Sequence, residues 1–545
     1  MRHGAEVYPV MSPKATELIC PELLEWATGN EVITEFEFDF SALANMFPQF
    51  REFVTHISTA YRIRVNSANK IVEVWARKAY AENEMMGIPS LKGENGEAVP
   101  VQLLSHVTRK DEEARLIVDR EEFLTIALQP GEIPGLGALR LDLSNTPNEE
   151  SFDVNGAVSW TEEALENNLI KVKVSSNGTI HLTDKRNGQE YKGLLEWEDS
   201  GDMGDEYDYS PTKSDSSIRS GNIEVDVEVV HTGPVVGTLL ISGALEIPID
   251  AEQRNEGNTD ETVLCDFTTE VTMNANSPTL HIATEFINQA EDHRLRVLFP
   301  SGTSSKTVLA DSAFDLIERP IRPLDDDSDW KQPVAPTYPM RRLVSLSSDT
   351  RGLTITTRGL LEFEVLEEKG GTIALTVLRS VGWLSKAGLK TRRDAAGPLL
   401  ETPGGQCPGL QVFEYAITPY NGEPAEDIIA NSEIFLLPMS AILIPEQEES
   451  QGVYNAEYLT IDPKCIELSA FKQCEDGDEL VLRLWNSSVT EQECTIHLGF
   501  PIKKIALALA DETPIEKGIV DLEKKHIIHT KIKPRGLVTL LISKT

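Results

Sequence analysis

The chain has 545 residues, 40% of them hydrophobic and 25% charged, which suits two to four domains with well-buried cores and argues against an unfolded chain. Its 50 Lys and Arg against 88 Asp and Glu leave a formal charge of −38, which repels phosphate backbones and anionic headgroups. Nucleic acid and membrane are disfavoured as partners; neutral sugars, cations and basic protein surfaces remain. The amino terminus has no continuous apolar core behind a basic start, and the most apolar segment, Ile434 to Ile444, is interrupted by Pro438 and Ser440 and is too short to span a bilayer. Six cysteines, at 20, 265, 407, 465, 474 and 494, share no short repeated spacing, so reduced thiols and a cytoplasmic location are expected.

In chain order, the first sixty residues hold the clearest helical spacing, with Leu43, Met46, Phe47, Phe50, Phe53, Val54 and Ile57 recurring at threes and fours and Pro48 as a breaker. After that the period is close to two. Arg62–Val65 and Lys70–Trp75 predict strands, and the polar stretch Ser144–Ser151 predicts a boundary. Ile170, Val172 and Val174 alternate with lysines, and Asn177-Gly178 then turns the chain into Thr179-Ile-His-Leu-Thr, a strong hairpin signal. Ile223, Val225, Val227 and Val229 alternate with acids, giving a strand with one apolar and one wet face and hence an antiparallel sheet. Runs at Leu280–Phe286, Leu353–Thr356, Ile373–Leu378 and Phe413–Ile417 extend the pattern. Beyond an acidic linker at Pro445–Gln451, short strands return at Glu479–Trp485, Cys494–Leu498, Ile505–Leu509 and Leu537–Ile542. The expected organisation is a β-rich domain with a short helical segment over 1–150, a large sandwich over 151–445 and a small terminal β-sandwich over 446–545.

Several stretches carry more than patterning. Leu169-Ile-Lys-Val-Lys-Val, the Asn177–Gly188 segment, Glu198-Asp-Ser-Gly-Asp-Met-Gly-Asp-Glu-Tyr-Asp-Tyr-Ser-Pro, Asp292-His-Arg-Leu-Arg-Val-Leu-Phe-Pro, Phe314–Pro320, Arg358–Val365, Leu378–Ser385, Thr402–Cys407 and Phe413–Ile417 succeed one another in a specific order. In that order they resemble the carboxy-terminal region of glycoside hydrolase family 38, the α-mannosidase and mannosylglycerate hydrolase-like enzymes; residues 1–150 match only loosely. The resemblance implies a mainly β chain: a galactose-mutarotase-like supersandwich flanked by smaller β-sandwich domains, packed behind an α/β barrel. In the family that barrel supplies a zinc site of His and Asp ligands and an Asp nucleophile; no barrel segment is recognisable here. No cofactor is therefore expected on this chain, and zinc is expected on a separate catalytic domain.

The residues themselves offer little independent chemistry. The ten histidines do not cluster at ligand spacing; His526 and His529 would point to opposite faces of a strand, and His281 and His293 read as satisfied sheet residues. No nucleophile elbow or phosphate loop occurs. The most concentrated group is Asp199, Asp202, Asp205, Glu206 and Asp208 around Gly201 and Gly204, with Tyr207 and Tyr209 interleaved. Spacing alone allows a solvated turn or a sugar-facing loop, since carboxylates accept hydroxyl hydrogen bonds and tyrosine rings stack on sugars. The resemblance places Tyr207 where family members present a tyrosine to the mannose site, and Arg358 in another segment near it. The candidate substrate-binding residues are thus Tyr207, Asp205 and Arg358. Trp383, Trp197 and Trp485 are expected to fill cores, and Cys407 to be structural.

The resulting expectation is a non-catalytic β-region or subunit of an α-mannosidase-like hydrolase that partners a barrel-type catalytic domain and helps line an α-mannoside site. The alternative is a free-standing carbohydrate-binding or scaffolding protein of the same fold. A mutarotase-like epimerase would need an acid and base pair that the sequence does not display.

Overall fold

The computed structural model describes residues 61–66, 71–78, 89–93, 95–109, 120–130, 136–147, 153–213, 217–255, 261–322, 330, 332–421, 425–437, 439, 456–515 and 520–544. The predicted helical segment at 43–57 and the linker at 445–451 lie outside these residues. The chain divides into two units; the first comprises Met1–Tyr61, Trp75–Met85 and Val107–Phe123, and only short strand segments of it are described. The second comprises Arg62–Val74, Met86–His106 and Leu124–Thr545, and it holds the large sheets and both cores.

Antiparallel pairing dominates because strands such as Ile170–Val174 alternate buried and wetter positions, so each sheet has one face to bury. The predicted Asn177-Gly178 turn joins Ile170–Val174 to Ile180–Asp184 with Val174 opposite Ile180, and Gly178 supplies the positive φ of 81° that such a turn requires. A nine-stranded sheet runs in the order Asp226–Thr232, Val236–Pro248, Thr262–Asn274, Leu280–Asn288, Gly409–Tyr420, Arg351–Thr357, Leu343–Ser348, Thr307–Ser312 and Asp315–Pro320. A six-stranded sheet runs Ile218–Arg219, Glu196–Gly201, His293–Pro300, Thr372–Ser380, Glu362–Leu366 and Thr337–Pro339. A five-stranded sheet spans Ser159 to Leu194.

Apolar faces of all three sheets meet in one core. Leu182 and Tyr191 come from the five-stranded sheet, Trp197, Val297 and Phe299 from the six-stranded, and Ile241, Phe267, Phe286 and Tyr415 from the nine-stranded. Aromatic rings knit them: Phe299 and Tyr415 meet edge to face at 5.6 Å, and Trp197 stacks on Phe286 at 6.1 Å. A separate core unites Leu482, Leu484, Ile496, Ile528 and Leu540, from two four-stranded sheets over residues 459–544. The chain is mainly β, a supersandwich succeeded by a smaller sandwich.

Some local expectations differ from the structure. The strand expected from Ile223 begins at Asp226, while Ile223 and Val225 pack against the core from an irregular segment. Asp142–Pro147 is a strand pairing with Pro89–Lys92, so the polar Ser144–Pro147 stretch lies in a sheet-edge strand and not in a turn. Trp197 and Trp485 are buried as expected, but Trp383 is half-buried in a loop outside the main core, bridged to Glu401. An α-helix at Ala425–Leu436 interrupts the all-β pattern and lays Ile428 and Ile429 against Tyr420 and Trp485.

Phe299→Ala should leave a cavity where two sheets meet and cost about 3–5 kcal/mol. The expected readout is a lowered urea midpoint for the transition of the large sandwich, with the transition of the 459–544 sandwich unmoved; equal loss in both would contradict separate cores.

Candidate functional site

The acidic, glycine-containing segment leaves the six-stranded sheet at its Gly201, His293 and Ser380 end, three residues that sit side by side in register. Three of its carboxylates point inward. Asp199, Asp202 and Asp205 are buried, each fixed by an arginine distant in sequence: Asp199 by Arg254, Asp202 by Arg379 at 2.7 Å, and Asp205 by Arg392, which also holds Asp208. Two of the acids also organise the loop backbone. Asp202 Oδ1 accepts the Gly204 and Ser210 N–H groups at 2.9 and 3.1 Å, and Asp205 Oδ1 accepts those of Tyr207 and Asp208 at 3.0 and 2.9 Å. Asp205 Oδ2 accepts the Lys386 N–H at 2.7 Å, tying the loop to the segment after Ser380. Gly204 is required by close approach: an added Cβ would strike the Asp208 carbonyl oxygen and come within 2.6 Å of Asp202 Oδ1.

Beneath the loop lies a buried chain that the sequence did not reveal. His293 is fully buried, with Nδ1 2.7 Å from Asp199 Oδ2 and Nε2 2.9 Å from Asn288 Oδ1. The Asn288 amide nitrogen donates to Ser380 Oγ and to the Gln406 and Cys407 carbonyls, all at 3.0 Å, which fixes its oxygen toward His293. Nε2 is therefore the ring nitrogen placed to donate, toward Asn288 Oδ1, while Nδ1 faces Asp199. Burial, and then the Arg254 guanidinium, push the imidazole well below its usual range. Burial likewise pushes Arg254 down to about 10, and raises the Asp202 carboxyl against the opposing pull of Arg379. At Glu198, next along the strand, burial opposes ionisation, but Arg296 and Arg219 outweigh it and hold the carboxyl below its usual range.

The three candidates separate. Tyr207 stands 55% exposed over the 385–397 segment, with its ring 6.0 Å from the Arg392 guanidinium and its hydroxyl beside Gly397. Asp205 is 0% exposed and both its oxygens are occupied, so it anchors the loop from behind instead of meeting a ligand. Arg358 engages Glu414 at 3.1 Å and lies over the Phe435 ring at 4.4 Å, beside the Ala425–Leu436 helix and not in the contacts of the Tyr207 loop. Among the described residues no group of three or more His, Cys, Asp or Glu could hold a metal ion, and both ring nitrogens of His293 are already engaged. These residues do not fit a zinc site.

Removing one partner of a buried ion pair strands the other, at a cost of about 3–5 kcal/mol. Arg392→Met leaves Asp205 and Asp208 without their cation, and should both lower the melting temperature and open the 202–210 loop to protease. An unchanged cleavage pattern would show that the loop does not depend on the pair.

The Glycosyl hydrolases family 38 C-terminal domain matches residues 165–386, and the family 38 C-terminal beta sandwich domain matches residues 466–540. A putative mannosylglycerate hydrolase of Halalkalibacterium halodurans is 29% identical over 396 residues, covering 69% of this chain and 41% of its own length. The crystal structure of an alpha-mannosidase from Enterococcus faecalis V583 superposes with a TM-score of 0.72 at 24% identity, over 89% of this chain and 55% of that one, a likeness of fold. A coenzyme A biosynthesis bifunctional protein of Thermococcus kodakarensis is 60% identical over only 35 residues, 6% of this chain. The chain thus spans about half the length of the mannosidase-type proteins it matches. Two family domains, in order and over the strands that carry the site, make this chain a member of glycosyl hydrolase family 38 through its C-terminal β-region.

Proposed function

We propose that this chain is the non-catalytic β-region or subunit of an α-mannosidase-like glycoside hydrolase, supporting and partly lining an α-mannoside site. Zinc and the nucleophile belong to a barrel-type catalytic domain that docks against it, and the substrate is an α-mannoside of the mannose metabolism served by such enzymes. The observation that carries this reading is a contrast within one loop: buried Asp–Arg pairs hold Tyr207 outward, while the same carboxylates, turned inward, are spent on the scaffold. A fixed, half-exposed tyrosine suits stacking on a sugar face. It performs no bond cleavage by itself.

An exposed apolar row supports docking. On the outer face of the nine-stranded sheet, Ile287 pairs directly with Leu410, with Val412 two residues along the same strand face and Leu264 on the next strand; all four are exposed. Such a row costs solubility unless another surface covers it. No helix among the described residues is long and apolar enough to cross a membrane. The described cysteines are all free thiols, which agrees with a cytoplasmic setting.

Purified chain incubated with 4-nitrophenyl α-mannoside and zinc should give no release of nitrophenol above a zinc blank. Turnover would overturn the non-catalytic reading. Tyr207→Ala, at an exposed position, should change stability by no more than about 0.5 kcal/mol. It should weaken methyl α-mannoside binding about tenfold, the size of one aromatic contact; undiminished binding would remove Tyr207 from the site.

A further inference from the structure

The outward face of the six-stranded sheet carries charge where a sandwich usually carries short polar residues. Ser200 and Glu198 on one strand pair with Arg294 and Arg296 on the next, and Arg294 pairs in turn with Arg379. Arg296 is held by Glu198 and Glu364, and Arg379 by Asp202. Glu198 also takes Arg219 at 2.7 Å, and Glu362 accepts the Thr376 hydroxyl at 2.8 Å. Each of these carboxylates holds another partner, and among the described residues none forms an ion pair with Arg294.

Arg294 is 5% exposed and makes no ion pair among the described residues; its Nε has no hydrogen-bond partner. Its guanidinium carbon lies 3.5 Å from the centroid of the Tyr209 ring. A ring on the face of a guanidinium leaves the in-plane N–H fork undisturbed. Directly across the strand pair, Ser200 is 4% exposed and its Oγ also has no partner. Burial and then the nearby Arg296 work against the charged form of Arg294, and the fields of Tyr209, Glu364 and Glu362 offset them only in part, since the net shift is downward. An anion would favour the charged form, because a guanidinium fork matches the two oxygens of a carboxylate or phosphate and a serine hydroxyl donates a third hydrogen bond.

We infer that Arg294 and Ser200, capped by Tyr209, form a subsite for the anionic group of a small carboxylate- or phosphate-bearing ligand, with Tyr209 two residues along the loop from Tyr207. The subsite is defined by the anion and not by the sugar, so it stands or falls apart from the α-mannoside reading. The chain's −38 formal charge opposes general anion uptake, so a saturable anion effect reports a local site.

The test is thermal unfolding and calorimetric titration of the full chain with sodium D-glycerate and with sodium phosphate, against glycerol and against sodium chloride at equal ionic strength. At least one anion should bind saturably and raise the melting temperature, while glycerol and chloride do not. A response to glycerate alone assigns a carboxylate, and a response to phosphate alone assigns a phosphate. Arg294→Gln should lower affinity at least tenfold, Arg294→Lys should keep part of it, and Arg322→Gln, on an exposed arginine of the same chain, should keep all of it. No anion response above that of chloride, or an equal response in wild type and Arg294→Gln, overturns the inference. If Arg294→Gln does not fold, Ser200→Ala decides: a threefold or greater loss of affinity supports the subsite, and unchanged affinity overturns it.

Discussion

A grid of carboxylates and guanidiniums, buried at one end of the six-stranded sheet, holds the site in shape. Asp199 with Arg254, Asp202 with Arg379 and Asp205 with Arg392 each join a residue of one short segment to an arginine that arrives from far along the chain. Buried ion pairs are weak sources of net stability, since desolvation offsets their attraction. Their effect here is directional: each carboxylate is shared between a cation and neighbouring hydrogen-bond donors, so the backbone between them has little freedom left.

That constraint links packing to the proposed role. A loop rich in glycine and aspartate would ordinarily be mobile, and a mobile tyrosine loses binding energy to ordering. With Asp202 and Asp205 capping N–H groups at Gly204, Tyr207, Asp208 and Ser210, the ordering cost is met during folding. The Asp199, His293 and Asn288 chain continues the arrangement inward to the Gln406 and Cys407 carbonyls, joining the loop to the nine-stranded sheet through Asn288. The loop that presents Tyr207 is therefore an extension of the sandwich core.

Much of the fold was legible in the residues. Alternation at Ile170–Val174 and the Asn177-Gly178 turn fixed a hairpin, and collinear segments around Gly201, His293 and Trp383 fixed the family. The site was legible only in part. Clustered Asp and Tyr residues marked the loop, but nothing in their spacing says which acids turn inward, because that depends on Arg254, Arg379 and Arg392, which lie 55, 177 and 187 residues from their partners. Asp205 consequently looked like a ligand contact and is an anchor. Arg294 gave no signal at all: an arginine in a strand is ordinary, and only the lack of an ion pair among the described residues sets it apart. The Ala425–Leu436 helix was hidden for a different reason, as its apolar residues merge with the run after it and show no clean period.

Amide hydrogen exchange across residues 202–210 of the full chain tests the account most directly. Slow exchange at Gly204, Tyr207, Asp208 and Ser210, comparable with the core strand His293–Pro300, is the predicted result. Exchange at the rate of an open loop, while that strand stays protected, would contradict it.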